Sequence, residues 1–290
     1  MRFLYLGLFL NLLAACETTP TKVSETQSRE LVQVMEKAQK PIEIGEKTIV
    51  LDVRSSFDYG LNRVQKALHF PWENLAESRQ TGEVLRSTHQ AAVRLSLLGI
   101  TPLSSIVIVG NGPQGHGEEG RLAWTLLYLG LQDVQTATVA TFQKTMTSRA
   151  SPDVENVAPW PVRVRDELQI DKDEFLRWAH KPRERNEQHI FIIDVRSEQE
   201  YLGHAEGGGT QSSNPGIDAI NIDWTQFFTP QGRPNTRFRG KLGALGIRSS
   251  DRIFVVSNHG VRSAAVTYAL LSLGYSRAQN FTAGWGGLDK

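Results

Sequence analysis

An internal repeat runs through most of this chain. Four short blocks occur twice in the same order, and the two copies lie about 145 residues apart. They are Asp-Val-Arg-Ser at 52–55 and 194–197, Leu-Gly-Ile at 98–100 and 245–247, the apolar runs 106–109 and 253–256, and Leu-Leu-x-Leu-Gly at 126–130 and 270–274. Repeats of solenoid proteins and propellers recur every 20–50 residues or so. The longer period therefore indicates a duplicated domain, for which a chain of 290 residues has room.

Each half of the chain alternates short apolar runs with amphipathic stretches. The apolar runs are predicted to be buried strands at 49–53, 106–109, 190–195 and 253–256, and the amphipathic stretches helices at 121–129 and 262–273. This alternation predicts an α/β fold in which a mostly parallel β-sheet is flanked by helices. We therefore expect two tandem domains, at 29–146 and 164–290. The linker between them, 147–163, contains Pro152, Pro159 and Pro161.

The N-terminus has the anatomy of a secretory signal. Arg2 is followed by a short apolar run that ends in small residues before Cys16. The run is shorter than the ~20 apolar residues that a membrane-spanning helix needs. The sequence thus predicts a signal peptide at 1–15 and a polar tether at 16–28.

The residues around Cys16 give this signal a more specific interpretation. Leu13-Ala14-Ala15-Cys16 resembles the lipobox of bacterial lipoproteins, and the resemblance implies cleavage before Cys16 and acylation of that residue. Two or more acyl chains anchor a protein stably, whereas a single chain binds only marginally. We expect a lipid-anchored protein of the cell envelope that faces the periplasm, with membrane lipid as a partner through Cys16. An ordinary signal peptide is the alternative, and the choice between inner and outer membrane stays open.

Composition excludes several classes of function. Cys16 is the only cysteine, which rules out an intramolecular disulfide, a zinc–thiolate cluster and a Cys-x-x-Cys redox pair. The formal charge of +1 and the scattered Lys and Arg residues argue against a nucleic-acid partner. His116, Glu118 and Glu119 are too few ligands for a typical metal site. Neither a metal nor another cofactor is expected.

The repeated blocks resemble those of rhodanese-like domains, over nearly all of residues 40–290. Besides the Asp-Val-Arg signature, the loop Ser257-Asn258-His259-Gly260-Val261-Arg262-Ser263 is similar to the Cys-x-x-Gly-x-Arg-Ser loop of active rhodaneses, with serine in the place of the cysteine. The segment 284–287, Gly-Trp-Gly-Gly, is similar to the family's terminal motif. The first half resembles the non-catalytic N-terminal domain of two-domain thiosulfate and mercaptopyruvate sulfurtransferases. Gly110 there stands where a cysteine would be, and 121–126 resembles that domain's Ala-Arg-x-Trp-Trp-x-Leu helix.

The resemblance implies an anion-binding loop at 257–263. In active members the loop holds a thiolate and then a persulfide, stabilised by backbone amides, a helix N-terminus and an arginine. Ser257 cannot form the persulfide, so no catalytic residue is assigned. Three interpretations of Ser257 stay open: a polar filler bonded within its loop, an oxyanion ligand together with Arg262, and a serine nucleophile helped by His259. Arg262 could equally be solvent-facing or salt-bridged.

The other conspicuous residues have structural interpretations. Asp52 and Asp194 follow predicted strands and are expected to bond loop amides, and Arg54 and Arg196 to pair within their own domains. The glycine-rich stretch 110–120 lacks the Gly-Lys-Ser/Thr of a P-loop, so we expect a flexible loop over the first domain's vestigial site. Three aromatic residues are expected in the core or between the domains, namely Trp224, Phe227 and Phe228.

Three functions remain in view from the sequence. The first is a catalytically silent envelope protein that binds a small oxyanion, a sulfur compound or a protein partner at 257–262 or between the domains. The second is an enzyme with residual thiosulfate sulfurtransferase-like or Ser257-based hydrolytic activity. The third is a purely structural scaffold. Because the cysteine is missing at both loops, the first is preferred, and enzyme activity is left open with none expected.

Overall fold

A computed structural model describes residues 36–37, 39–78, 82–149, 152–203 and 216–288. The predicted signal peptide, the tether and Cys16 lie outside these residues, as does most of the Gly/Ser-rich stretch 207–216. Among the helices of the described ranges, none is long and apolar enough to cross a membrane.

The first unit is a four-stranded parallel sheet in the order β3-β1-β4-β5. Its elements are β1 (Ile49–Asp52), α1 (Ser56–Leu61), β2 (Arg63–Val64), β3 (Ala67–His69), α2 (Thr88–Ser96), β4 (Ser105–Gly110), α3 (Glu118–Tyr128), β5 (Asp133–Thr138) and β6 (Met146–Thr147). The short strands β2 and β6 form a separate antiparallel pair. The predicted strands at 49–53 and 106–109 are thus β1 and β4, with boundaries shifted by one residue.

The second unit repeats this plan. Its parallel sheet has the order β10-β9-β7-β8, which is the first unit's order read from the other edge. Its elements are α4 (Lys172–Ala179), α5 (Pro182–Glu187), β7 (Ile190–Asp194), α6 (Glu198–Tyr201), β8 (Ile220–Asn221), α7 (Phe238–Ala244), β9 (Arg252–Val256), α8 (Val261–Ser272) and β10 (Ala278–Asn280). The prediction of an α/β fold with helix-flanked, mostly parallel sheets is confirmed for both halves.

Local sequence explains where several helices begin. Ser87 and Asp171 precede α2 and α4, and each accepts a hydrogen bond from a backbone N–H of the first turn. Ser197 and Glu200 form a reciprocal capping box at α6. Gly117 and Gly260 precede α3 and α8 with φ values of 89° and 72°, a left-handed conformation that glycine adopts without strain.

The two units pack through a seam formed by α3 and α8. A Cβ added at Gly120 would lie 2.6 Å from the Cβ and 2.8 Å from the Cα of Ala265. The helices can therefore approach this closely only because residue 120 has no side chain. The apolar core is continuous across the seam, with Leu122 and Leu126 of α3 in the same cluster as Ala265 and Tyr268 of α8.

Each unit also covers the strand-to-helix loop of the other. Gly82 of the first unit lies against the backbone of His259, Gly260 and Thr282. Gly232 of the second unit lies against Thr138 at the end of β5, and a Cβ added at Gly112, in the loop between β4 and α3, would lie 3.6 Å from the Gly232 Cα. The two glycines are equivalent in position, since each follows a short 3₁₀ helix, at 72–75 and 224–227. Duplication and mutual packing thus place both candidate loops between the units.

Candidate functional site

The loop 257–262, called the second loop, connects β9 to α8. Gly260 sits where the chain turns into the helix, and a Cβ there would collide with the backbone of Thr282. The turn therefore requires glycine both for its φ of 72° and for space. It brings the N-terminal turn of α8 to the end of β9, where Ser257 is located.

Ser257 is buried, with 1% of its surface exposed. Its Oγ lies 3.1 Å from Ser263 Oγ and accepts a hydrogen bond of 3.3 Å from the Ser263 N–H. In the described part of the chain, no imidazole or carboxylate hydrogen-bonds to this hydroxyl. A serine nucleophile needs such a base, so the contacts are those of a polar group bonded within its own loop.

Arg262 forms a bidentate ion pair with Glu200 of α6. Both contacts, Nη1–Oε2 and Nη2–Oε1, measure 2.7 Å. Burial alone would raise the pKa of Glu200, but the hydrogen bonds and positive charge of Arg262 outweigh it and lower that pKa to about 2. Arg262 is thus salt-bridged rather than solvent-facing, and its role in anion binding stays a prediction.

Asn258 links the loop to a buried ion pair. Its Oδ1 accepts a hydrogen bond of 3.2 Å from Arg196, and its Nδ2 donates one of 3.0 Å to Glu200. Arg196 in turn holds Asp194, with Nη2–Oδ2 at 2.7 Å, and the exposed fraction of both side chains is 0%. The Trp285 indole N–H donates to the same Asp194 oxygen at 2.9 Å. These contacts fix the second loop to the end of β7.

The remaining loop residues differ in their exposure. His259 is exposed, and an added Cβ on Gly286 would lie 3.5 Å from its imidazole ring. Val261 is half-buried, whereas Ser263 is fully buried against Ser257. His259 and Ser257 are thus neighbours in sequence whose side chains have different surroundings.

The first unit contains the equivalent acid–arginine pair. Arg54 Nη2 lies 2.8 Å from Asp52 Oδ2, and its Nε lies 3.0 Å from Oδ1. The Arg54 N–H also donates to Asp52, and Nη2 donates to the carbonyl of Asn62 at 2.7 Å. Asp52 and Asp194 therefore have the same role, which is to bind the backbone and side chain of the arginine two residues later.

The loop 110–117, called the first loop, differs from the second loop because a buried carboxylate lies against it. A Cβ on Gly110, where the resemblance expects a cysteine, would lie 2.9–3.0 Å from the carboxylate atoms of Glu119. Glu119 is 3% exposed and accepts a hydrogen bond from the Gly112 N–H. Burial raises its pKa to about 7, with further contributions from the charges of Glu118 and Asp52. A buried carboxyl of α3 thus fills the position that a side chain on residue 110 would occupy.

The neighbouring polar residues of this loop do not assemble a metal site. The His116 backbone N–H donates to the Glu118 carboxylate at 2.7 Å. In the described ranges, no group of three or more His, Cys, Asp or Glu side chains could hold a metal ion. Trp224, Phe227 and Phe228 are buried in the shared core, and Trp224 and Phe228 pack edge-to-face with ring centroids 5.9 Å apart.

Three contributors to these loops were not predicted from the sequence. Glu200 could have been noticed from its capping-box spacing to Ser197. No local pattern links it to Arg262, which is 62 residues away. The hydrogen bond from Trp285 to Asp194 and the placement of Glu119 beside Gly110 likewise depend on tertiary packing.

One known protein family matches part of the chain. The sequence profile of the Rhodanese-like domain matches residues 175–289, which is the second unit from α4 onward. No curated protein sequence matches the chain.

Solved structures of the same fold cover most of the chain. 3-Mercaptopyruvate sulfurtransferase SseA from Escherichia coli superposes with a TM-score of 0.67 at 18% identity, over 89% of this chain and 97% of SseA. A probable thiosulfate sulfurtransferase gives a TM-score of 0.58 at 22% identity, over 85% and 96%. A variant of EanB in complex with ergothioneine gives 0.67 at 17%, over 90% of this chain and 67% of EanB. At these identities the likeness shows the fold: two rhodanese-like units in tandem.

Proposed function

We propose that this chain, whose residues 175–289 form a Rhodanese-like domain, is silent in sulfur transfer and binds a small oxyanion or sulfur compound at the second loop. The observation that carries the proposal is the environment of Ser257. Its hydroxyl lies at the nucleophile position of the loop and is bonded to Ser263.

The chemical argument rests on the difference between a thiol and a hydroxyl. A cysteine has a pKa near 8.5 that an anion-stabilising loop lowers, so its thiolate forms readily. A serine hydroxyl is far less acidic, and its oxygen does not form the sulfur–sulfur bond that carries the transferred atom. Without a base beside Ser257, the loop lacks the means to activate this side chain.

Anion binding at this loop does not require a cysteine, because backbone N–H groups can serve as the hydrogen-bond donors. The Ser263 amide already donates to an oxygen atom, that of Ser257. The N-terminal turn of α8 adds partial positive charge, and a helix N-terminus is favourable for anions. Arg262 would add a full charge only by leaving Glu200, so we expect weak binding that depends on the backbone.

The compounds that two fold relatives bind or act on support the ligand class that we propose. SseA is a 3-mercaptopyruvate sulfurtransferase, and EanB has been captured with ergothioneine. We therefore place small sulfur compounds beside sulfate and phosphate among the candidates. A protein partner is the other ligand we keep. We further propose that Cys16 anchors the protein to membrane lipid in the cell envelope.

The test is a thiosulfate:cyanide assay on a soluble form that begins at Glu17. Wild type, Ser257→Cys and Ser250→Cys are compared, the last carrying a thiol on an exposed turn. We expect turnover only from Ser257→Cys, together with thiosulfate binding to wild type by calorimetry. Turnover by wild type would contradict the proposal and favour residual sulfurtransferase activity or Ser257-based chemistry.

A purely structural role is the second candidate, and one observation favours it. Gly82 and Gly232 lie directly on the backbone beside the second and first loops, so each loop is covered by the other unit. If wild type binds no anion and Ser257→Cys stays inactive, these results would favour a purely structural role for the protein.

A further inference from the structure

Glu119 is a buried acid at the contact between the two units. Its side chain lies beside Gly110 and Gly112 of the first loop. Trp224, Phe228 and Gly232 of the second unit border the same narrow cavity, which has no room for a water molecule. One carboxyl oxygen, Oε2, has no hydrogen-bond partner in the part of the chain that the structure describes. An ionised carboxylate in such a site would be compensated only in part, by the Gly112 N–H and its own backbone amide.

The part of the second unit that lies over this acid is the segment 228–234, called the capping segment. Its ends are joined by the antiparallel bridge of Phe228 with Pro234. Two hydrogen bonds dock it on β5: the Thr138 N–H donates to the Gln231 carbonyl at 2.8 Å, and the Thr136 hydroxyl to the Gly232 carbonyl at 2.7 Å. Gly232 also touches the Thr138 backbone. The capping segment therefore seals Glu119 from solvent.

Among the described residues, the two charges that act on Glu119 favour its protonated form, whereas backbone hydrogen bonds from Gly112 and from Glu119 itself favour the ionised form. Glu118 on the same helix turn and Asp52 at the end of β1 are both acidic. The capping-segment side of the cavity is lined by Trp224, Phe228 and Gly232, which carry no charge. Arg233 directs its guanidinium to the Lys40 carbonyl, and Arg54 is paired with Asp52.

We propose that Glu119 is a proton-controlled latch, whose ionisation releases the capping segment from the first loop. When the carboxyl is protonated, it is neutral and tolerates the dry contact. When it loses the proton, the negative charge gains hydration only if the segment lifts and admits water. Release would open the first loop between the units, independently of whether the second loop binds an anion.

Proton linkage gives the size of the effect. In the closed state, burial raises the pKa of Glu119 from the ordinary value of 4.5 to about 7. In the open state the acid is solvated, and its pKa returns to 4.5. The open state therefore binds fewer protons, and opening becomes about tenfold more favourable for each pH unit in this window. Above about pH 7 both states are ionised and the effect levels off.

Hydrogen exchange of single amides tests the latch. The measured quantity is the protection factor, corrected for the intrinsic pH dependence of exchange, of the Thr138 amide from pH 5 to 8. We expect it to fall about tenfold per unit up to about pH 7 and then to level. It should also stay below that of the Val53 amide, which is bonded to Val109 in the first sheet and reports wider unfolding.

Two variants separate the latch from other causes. Glu119→Gln keeps an acceptor for the Gly112 N–H but has no proton to lose, so its Thr138 protection should not vary with pH. Glu118→Gln, one residue away, should retain the slope. If the Glu119→Gln variant does not fold, the chemical shift of the Gly112 amide in wild type can be used instead, because it reports the ionisation of Glu119 directly. The pH at which this shift changes should then match the pH range over which Thr138 protection falls. A flat profile in wild type, an equal slope in Glu119→Gln, or Thr138 protection equal to that of Val53 would overturn the proposal.

Discussion

The guanidinium of Arg262 meets the carboxylate of Glu200 through two parallel contacts of 2.7 Å. Arg262 is the only residue of the loop 257–263 with a permanently charged side chain. Its charge is thus matched before any ligand arrives. Because bidentate arginine–carboxylate pairs are strong and geometrically specific, an anion at the second loop must compete with Glu200 for this cation.

Neutralising Glu200 should therefore strengthen anion binding at the second loop. We expect Glu200→Gln to lower the Kd for thiosulfate by roughly 3–10-fold, because Arg262 keeps its charge and loses its competitor. Isothermal titration calorimetry checks this, with the exposed Glu198→Gln of the same helix as control. With a Glu200 pKa of about 2, wild-type affinity should not change between pH 5 and 8 through this group. A higher Kd for thiosulfate in a folded Glu200→Gln protein would contradict this prediction and show that the Glu200 carboxylate helps to hold the loop in its binding conformation.

The seam between the units should be sensitive to a single methyl group. Gly120→Ala places a Cβ 2.8 Å from the Cα of Ala265, so the helices must separate, and we expect a loss of about 1–3 kcal/mol in the free energy of unfolding. Gly243→Ala in α7 is the matched control, since a Cβ there meets nothing within 4 Å. It should stabilise by up to about 1 kcal/mol through helix propensity. Urea denaturation measures both, and equal effects of the two substitutions would contradict the close-packed seam.

Arg121 is a buried cation of α3. It is 0% exposed, and within the described ranges none of its three guanidinium nitrogens has a hydrogen-bond partner. Burial lowers its pKa to about 9. The rings of Trp72 and Trp124, at 5.4 and 5.1 Å from its guanidinium carbon, supply cation–π contacts.

Replacing this arginine by an apolar side chain of similar length should leave the protein at least as stable. We expect Arg121→Met to change the free energy of unfolding by about 0 to +4 kcal/mol, because the cost of burying the charge disappears while the packing volume is largely kept. Thermal unfolding of wild type and variant measures this. A fall in Tm by more than a few degrees would mean that the cation–π contacts outweigh the desolvation of the guanidinium.

Global stability should also depend on the protonation of Glu119. A carboxyl whose pKa is higher in the folded than in the unfolded protein favours folding when protonated. Its stabilisation is complete below the unfolded pKa of 4.5 and is lost as the pH rises to about 7. The difference of pKa corresponds to about 3 kcal/mol. Denaturant titrations from pH 4 to 8 should show this decline in wild type and a shallower one in Glu119→Gln. Parallel curves would argue that Glu119 is already solvated.

The sequence was informative wherever the signal is local or repeated. The apolar runs at 106–109 and 253–256 predicted β4 and β9 because buried parallel strands must be apolar on both faces. The sequence also predicted correctly that Asp194 and Ser257 lie where strands end, at the ends of β7 and β9. The sequence predicted a flexible loop over the first domain's site at 110–120, but Glu118 already begins α3 and Glu119 is buried. Its burial beside Gly110 depends on how α3 is set against β4, and no neighbouring residue encodes that.

The duplication, the α/β architecture and the absence of a cysteine from both loops can be predicted from the sequence, because they depend only on periodicity and residue identity. Contacts between residues far apart in sequence depend on tertiary packing. Packing pairs Arg262 with Glu200 across 62 residues and leaves Arg121 without a hydrogen-bond partner among the described residues. It also sets Gly82 and Gly232 on the opposite units. Such contacts arise when two similar units bury their apolar faces on one another. Which polar groups are enclosed there is then a matter of packing geometry, which no local pattern specifies.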